Sequence, residues 1–138
     1  MLREAFYRRM IDLYNFLAQV ESIHGDVDLF VRLVEKSIHY SEKLKKIAKS
    51  EYDKKMAEAN TRMNRIIMSV LRREIEIEEF KEKLWELEKE YPEFFARGKR
   101  DIGVPEETVR AIIHKVEYMV NRYDVKYPFY DMHRCNDR

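Results

Sequence analysis

The chain has 138 residues, 45% of them hydrophobic and 12% aromatic, which is enough for one domain with a real core. Its 27 basic and 26 acidic side chains nearly cancel to a net charge of +1, so global charge singles out no nucleic-acid, membrane or acidic-substrate partner. The single cysteine, Cys135, excludes a disulfide, a cysteine zinc set or a redox pair within this sequence.

No window approaches 18 uncharged apolar residues and the first residues carry charge at once, so neither a membrane span nor a signal peptide is expected. These features describe a soluble, cytoplasmic protein. Charged residues make up 38% of the chain, well above the roughly 25% of an average domain, a loading that heat-adapted proteins share. Between Met1 and Tyr91 stands one glycine, Gly25, and no proline. That predicts helix almost throughout and an all-α fold.

The first helix is predicted over residues 2–23. Phe6, Met10, Leu13, Leu17 and Val20 recur at steps of four and three, with Tyr7, Ile11, Tyr14 and Phe16 broadening the face. A face this wide is expected to be covered by more than one neighbour. His24-Gly25-Asp26 reads as a tight turn, with Gly25 supplying the left-handed conformation and Asp26 capping the next helix.

The second helix begins near Val27 and carries Phe30, Val31, Leu33, Val34, Ile38, Tyr40, Leu44, Ile47 and Ala48 inward. Residues 49–64 turn polar, with two competing helix starts, Ser50 followed by Asp53 and the pair Asn60-Thr61. The chain either bends there or continues as one rod of about 65 residues, roughly 95 Å long at 1.5 Å per residue.

The third helix is predicted to run to Tyr91. Ile66, Val70, Ile77, Phe80, Leu84 and Leu87 keep a four-three register that only Arg73 interrupts, which is the pattern of a coiled-coil seam. Pro92 ends it, and residues 92–104 read as a loop. A fourth helix spans 105–124, with Pro105 in its first turn and Val109, Ile112, Ile113, Val116, Met119, Val120 and Tyr123 inward. The aromatic tail, 125–138, is expected to pack on the bundle or on another subunit. The whole is one domain, four main helices in an elongated bundle, with 1–91 forming a long-helix core.

Signals for chemistry are sparse, and no catalytic residues and no cofactor are assigned. Glu21-Ser22-Ile23-His24 has the Glu-x-x-His spacing of helical metal sites; across a dimer, Glu21 and His24 would supply a metal-dependent oxidase. Arg32 and His39 loosely match the Arg/His spacing of some helical ribonucleases. Residues 100–113, from Arg100 through Gly103, Pro105 and Thr108-Val109-Arg110 to Ile113, resemble the turn and second helix of a helix-turn-helix. That resemblance implies DNA binding near 100–114. The sequence departs from the family at Lys99, where a small buried residue is preferred.

Charge is unevenly distributed. Residues 43–73 hold ten basic and three acidic side chains, whereas 74–93 hold nine glutamates against Lys81, Lys83 and Lys89. The basic arm suggests a nucleic-acid footprint at Lys54, Lys55, Arg62 and Arg65, with a second patch at Arg97, Lys99, Arg100 and Arg110. Alternatively, basic and acidic arms of two subunits pair. Read together, these features point to a non-enzymatic helical assembly or adaptor protein, expected to form a homo-oligomer and to associate with nucleic acid or a protein partner.

Overall fold

The computed structural model describes residues 2–96 and 105–126. They form six helices: α1 Leu2–His24, α2 Val27–Ile47, α3 Glu51–Leu71, α4 Ile77–Glu90, α5 Pro92–Ala96 and α6 Pro105–Lys126. The fold is all-α, with six helices in place of the four expected, because the predicted third helix breaks at Arg73 and residues 92–96 form a short helix of their own.

The turn between α1 and α2 is the one the sequence spells out. Gly25 takes φ 83°, its N–H donates to Glu21 O at 2.8 Å, and Asp26 Oδ1 accepts from Leu29 N at 3.0 Å.

The second break lies at Ala48-Lys49-Ser50, so the chain bends and no continuous rod forms. Ser50 takes extended geometry and its Oγ accepts from Asp53 N at 3.0 Å, capping α3. Buried Ala48, with its N–H on Leu44 O at 2.8 Å, anchors the end of α2. The competing start at Asn60-Thr61 lies inside α3, where both residues are buried. Ser50→Ala should lower stability by about 1 kcal/mol, a fall of a few degrees in the melting temperature read by circular dichroism.

The third break divides the predicted 66–91 helix. Glu74 N donates to Ser69 O at 2.8 Å and Arg73 N to Val70 O at 3.2 Å, while Arg73 takes φ 65°. This paired closure is a Schellman motif with arginine in the left-handed position that glycine usually fills. It satisfies the last carbonyls of α3 and reverses the chain, so the four-three register across Arg73 belongs to two helices and makes no seam between subunits. Residues 92–96, read as loop, form α5.

Ion pairs show how consecutive helices run. Lys45 meets Glu58 (3.7 Å), Arg65 meets Glu42 and Arg72 meets Glu35 (2.9 Å), which sets α3 antiparallel to α2. Arg62 meets Glu90 at 2.9 Å and Lys81 meets Glu117 at 2.9 Å, setting α4 antiparallel to both α3 and α6.

The principal core forms where these helices converge. Phe80, Leu84, Leu87 and Tyr91 of the α4 register bury against Val34, Ile67, Val70, Leu71, Phe95, Val109, Val116 and Met119. A smaller cluster of Ile11, Leu44, Ala48 and Ala57 closes the other end, with Tyr7 and Tyr40 packed on it. No helix among the described residues is long and apolar enough to cross a membrane.

Candidate functional site

Among the described residues, the outer face of α1 is the most conspicuous exposed apolar surface. Its buried residues are small or polar for a helix this long: Ile11, Ala18 and Ser22, with Asn15 beside them. These let the α1 backbone approach α2 closely, while the side chains of Arg8 and Asn15 reach across to Asp53 and Asn60 of α3. At 100° per residue the large apolar side chains fall on the opposite side.

Leu2 is 88% exposed, Phe6 51%, Leu13 45%, Phe16 60% and Ile23 65%. Of the face expected to be core, Phe6, Leu13 and Leu17 thus point to solvent. The sequence did hold a signal for this: α1 is apolar on both sides, which a helix lying on the surface of a monomer is not. Leu2, Phe6, Arg9, Leu13, Phe16, Val20 and Ile23 are spaced four, three, four, three, four and three, a seam with one charged member. At roughly 150–250 Å² per large side chain, these exposures leave on the order of 600 Å² of mainly apolar surface in water, the upper end of what a monomer shows.

Behind α1 lies a buried polar ring. Asn15 Nδ2 donates to Asn60 Oδ1 (2.9 Å), Asn60 Nδ2 to Ser37 Oγ (3.0 Å) and Ser37 Oγ to Asn15 Oδ1 (2.7 Å), closing a cycle across α1, α2 and α3. Asn64 Nδ2 joins it at 3.3 Å from Asn60 Oδ1, and Ser41 and Thr61 pair their hydroxyls at 2.6 Å. Beside this network a cavity of about 290 Å³ opens between α1, α2, α3, α5 and α6. Sequence periodicity gave no sign of either, because it ranks asparagine and serine as surface residues.

The described cationic residues of α3 named from sequence stand among carboxylates. Lys54 pairs with Glu51 (3.6 Å), Arg62 with Glu90 and Arg65 with Glu42; Lys55 is exposed. Glu51 and Glu58 share the same strip of α3. Such exposed pairs are weak.

Burial works against the charge of Arg62, yet its hydrogen bonds to Tyr91 and Glu90 outweigh that and hold its pKa above the ordinary value. Burial likewise raises the Tyr91 phenol, against the opposing pull of Arg62. Arg62 and Glu90 thus join the basic arm to the acidic arm inside one chain. Arg110 of α6 is exposed and lies over the Trp85 ring, 5.8 Å from its centroid. Arg97, Lys99 and Arg100, and with them the turn of the helix-turn-helix resemblance, lie outside the described residues, as does most of the aromatic tail.

Glu21 and His24 sit in the last turn of α1, Glu21 half-buried and His24 exposed. Glu35 and Glu42 are held by Arg72 and Arg65, and His39 packs edge-on against Tyr40. Among the described residues no three His, Cys, Asp or Glu side chains come together in a metal-binding group. Arg32 and His39 are both exposed on α2. No protein-family model, curated protein or solved structure matches the chain.

Proposed function

We propose that this is a non-enzymatic helical assembly protein that works by docking one helix on another, through the outer face of α1, with a second copy of itself as partner. The observation that carries this reading is the pair of opposed apolar faces on α1, only one of which the other described residues cover. Joining two copies buries roughly 1,200 Å² in total, the lower bound of a standard specific interface.

Arg9 fixes the orientation. A parallel pair would set Arg9 against Arg9, two like charges inside an apolar seam. An antiparallel pair sets Phe6 against Ile23, Leu13 against Phe16 and Arg9 against Val20, which separates the two guanidinium groups by roughly 16 Å along the axis. The aliphatic stem of Arg9 then covers Val20 while its head reaches water.

Light scattering should give twice the 16.9 kDa chain mass at micromolar concentration. With Cys135 replaced by Ser, a Phe6→Cys, Ile23→Cys variant should oxidise to a covalent dimer, and Phe6→Cys alone should not. A monomeric mass up to about 100 μM removes the proposal. Efficient cross-linking of Phe6→Cys alone reverses the orientation.

A further inference from the structure

The outer side of α2 is a row of cations. Arg32, Lys36, His39, Lys43 and Lys46 are all exposed there. Their steps of four, three, four and three hold them within an arc of about 80°, on the side away from Val34, Ser37 and Ser41, which are buried. The row is about 21 Å long at 1.5 Å per residue.

After Asp28 in its first turn, α2 holds two carboxylates, Glu35 and Glu42, and both reach toward α3, where Arg72 and Arg65 meet them. Lys45, beside the row in sequence, is likewise paired across to Glu58. Among the described residues no carboxylate pairs with Arg32, Lys36, Lys43 or Lys46. Arg32 with Lys36, and Lys43 with Lys46, are like charges four and three residues apart, an arrangement that destabilises a helix. An anion lying along the row relieves that repulsion.

The physics of the row distinguishes between anionic partners. An acidic protein face would gain little, because exposed lysine–carboxylate pairs are weak one by one and lysine is depleted from protein interfaces. A membrane-surface helix sets its apolar face into the lipid, whereas that of α2 is buried in the bundle. A double helix differs, because it carries a charge per 1.7 Å of axis and releases condensed counterions when cations meet its phosphates. The row spans roughly six base pairs of it. Single strands are held largely by stacking bases on aromatic side chains. His39, the one ring in the row, packs edge-on against Tyr40 at 5.1 Å.

We propose that the outer face of α2 binds the phosphate backbone of double-helical DNA, without reading its sequence, through Arg32, Lys36, Lys43 and Lys46. This surface is distinct from the α3 strip, where Lys54, Arg62 and Arg65 are engaged by glutamates. The seam of α1 takes no part.

The test uses the full chain and a fluorescently labelled DNA duplex of about 20 base pairs, longer than the row, read by anisotropy. The Kd should be on the order of a micromolar at about 50 mM salt. Four phosphates contacted give a slope of log K against log salt of about −3.6, so about 200 mM salt should weaken binding roughly a hundredfold. Lys36→Gln with Lys43→Gln should halve that slope to about −1.8, with helix content unchanged. Lys55→Gln with Lys89→Gln removes two exposed cations that lie off the row, and the slope should stay as in the parent.

No binding to the duplex up to about 100 μM at the lower salt would overturn the proposal, as would equal losses in the two double variants. Binding of the single strand as tightly as the duplex would overturn the assignment to a double helix. Binding to phosphatidylserine vesicles without binding to the duplex would make the row a membrane contact, and the proposal would fall.

Discussion

A Leu13→Glu, Phe16→Glu double variant is expected to run as a monomer at concentrations where the parent chain is a dimer, with its helix content unchanged. Both side chains stand about half or more in water in the single chain, so the substitutions remove little that the monomer uses. In the antiparallel pair they face each other at the centre of the seam, and four carboxylates would be forced together with no cation to meet them. Burying an unpaired charge costs several kcal/mol, so the dissociation constant should rise by at least about a thousandfold. Light scattering against concentration reads this directly, with circular dichroism as the control for folding. A double variant that unfolds would place Leu13 and Phe16 in the core of the chain, contrary to their exposure.

Asn60→Ala is expected to destabilise the chain by about 3 kcal/mol. Asn60 accepts from Asn15 and Asn64 and donates to Ser37, and every one of these partners lies on the inner side of α1, α2 or α3. Removing it strands the Asn15 amide donor, at about 1–3 kcal/mol, while Asn64 Nδ2 keeps Asn15 Oδ1 and Ser37 Oγ within 3.4 Å and Ser37 keeps Asn15 Oδ1. The cavity left by the lost side chain adds to this. Chemical denaturation should show a lower midpoint with an unchanged slope. A loss below about 0.5 kcal/mol would mean that the ring is not closed in solution. Substituting Asn15, Ser37, Asn60 and Asn64 together by apolar residues of similar volume should recover much of the loss, because a fully apolar interior leaves no group unpaired.

Several elements follow from local rules, and local sequence was enough to read them. Gly25 and Asp26 specify the first turn because only glycine enters the left-handed region freely and a carboxylate meets free amides. Pro92 and Pro105 mark helix ends and starts, whereas at the second turn local sequence left Ser50, Asn60-Thr61 and a continuous rod open, and burial of Asn60 and Thr61 inside α3 goes with the Ser50 cap. The inward face of α6 at Val109, Val116 and Met119 follows from period alone.

The break at Arg73 does not follow from local rules, since arginine has no preference for φ 65°. The Schellman closure there is held because Val70 and Leu71 before it and Phe80 and Leu84 after it bury into one core. Pattern reading saw one continuous register for the same reason that the core accepts both halves.

Periodicity measures how apolar residues are spaced and carries no information on which neighbour covers them. On that account α1 was legible as a helix but not in its orientation: the larger side chains at Phe6, Leu13 and Phe16 suggested the core, and the smaller ones at Ala18 and Ser22 took it. Close approach of α1 to α2 requires small side chains at the contact, and the Asn15–Ser37–Asn60 ring forms only when side chains of three helices meet. The sequence by itself determined that the chain is helical, where most helices begin and which residues are apolar. Which apolar face is buried, which asparagines are interior and where a cavity remains were decided by tertiary packing, because those properties belong to pairs of helices and no single helix contains them.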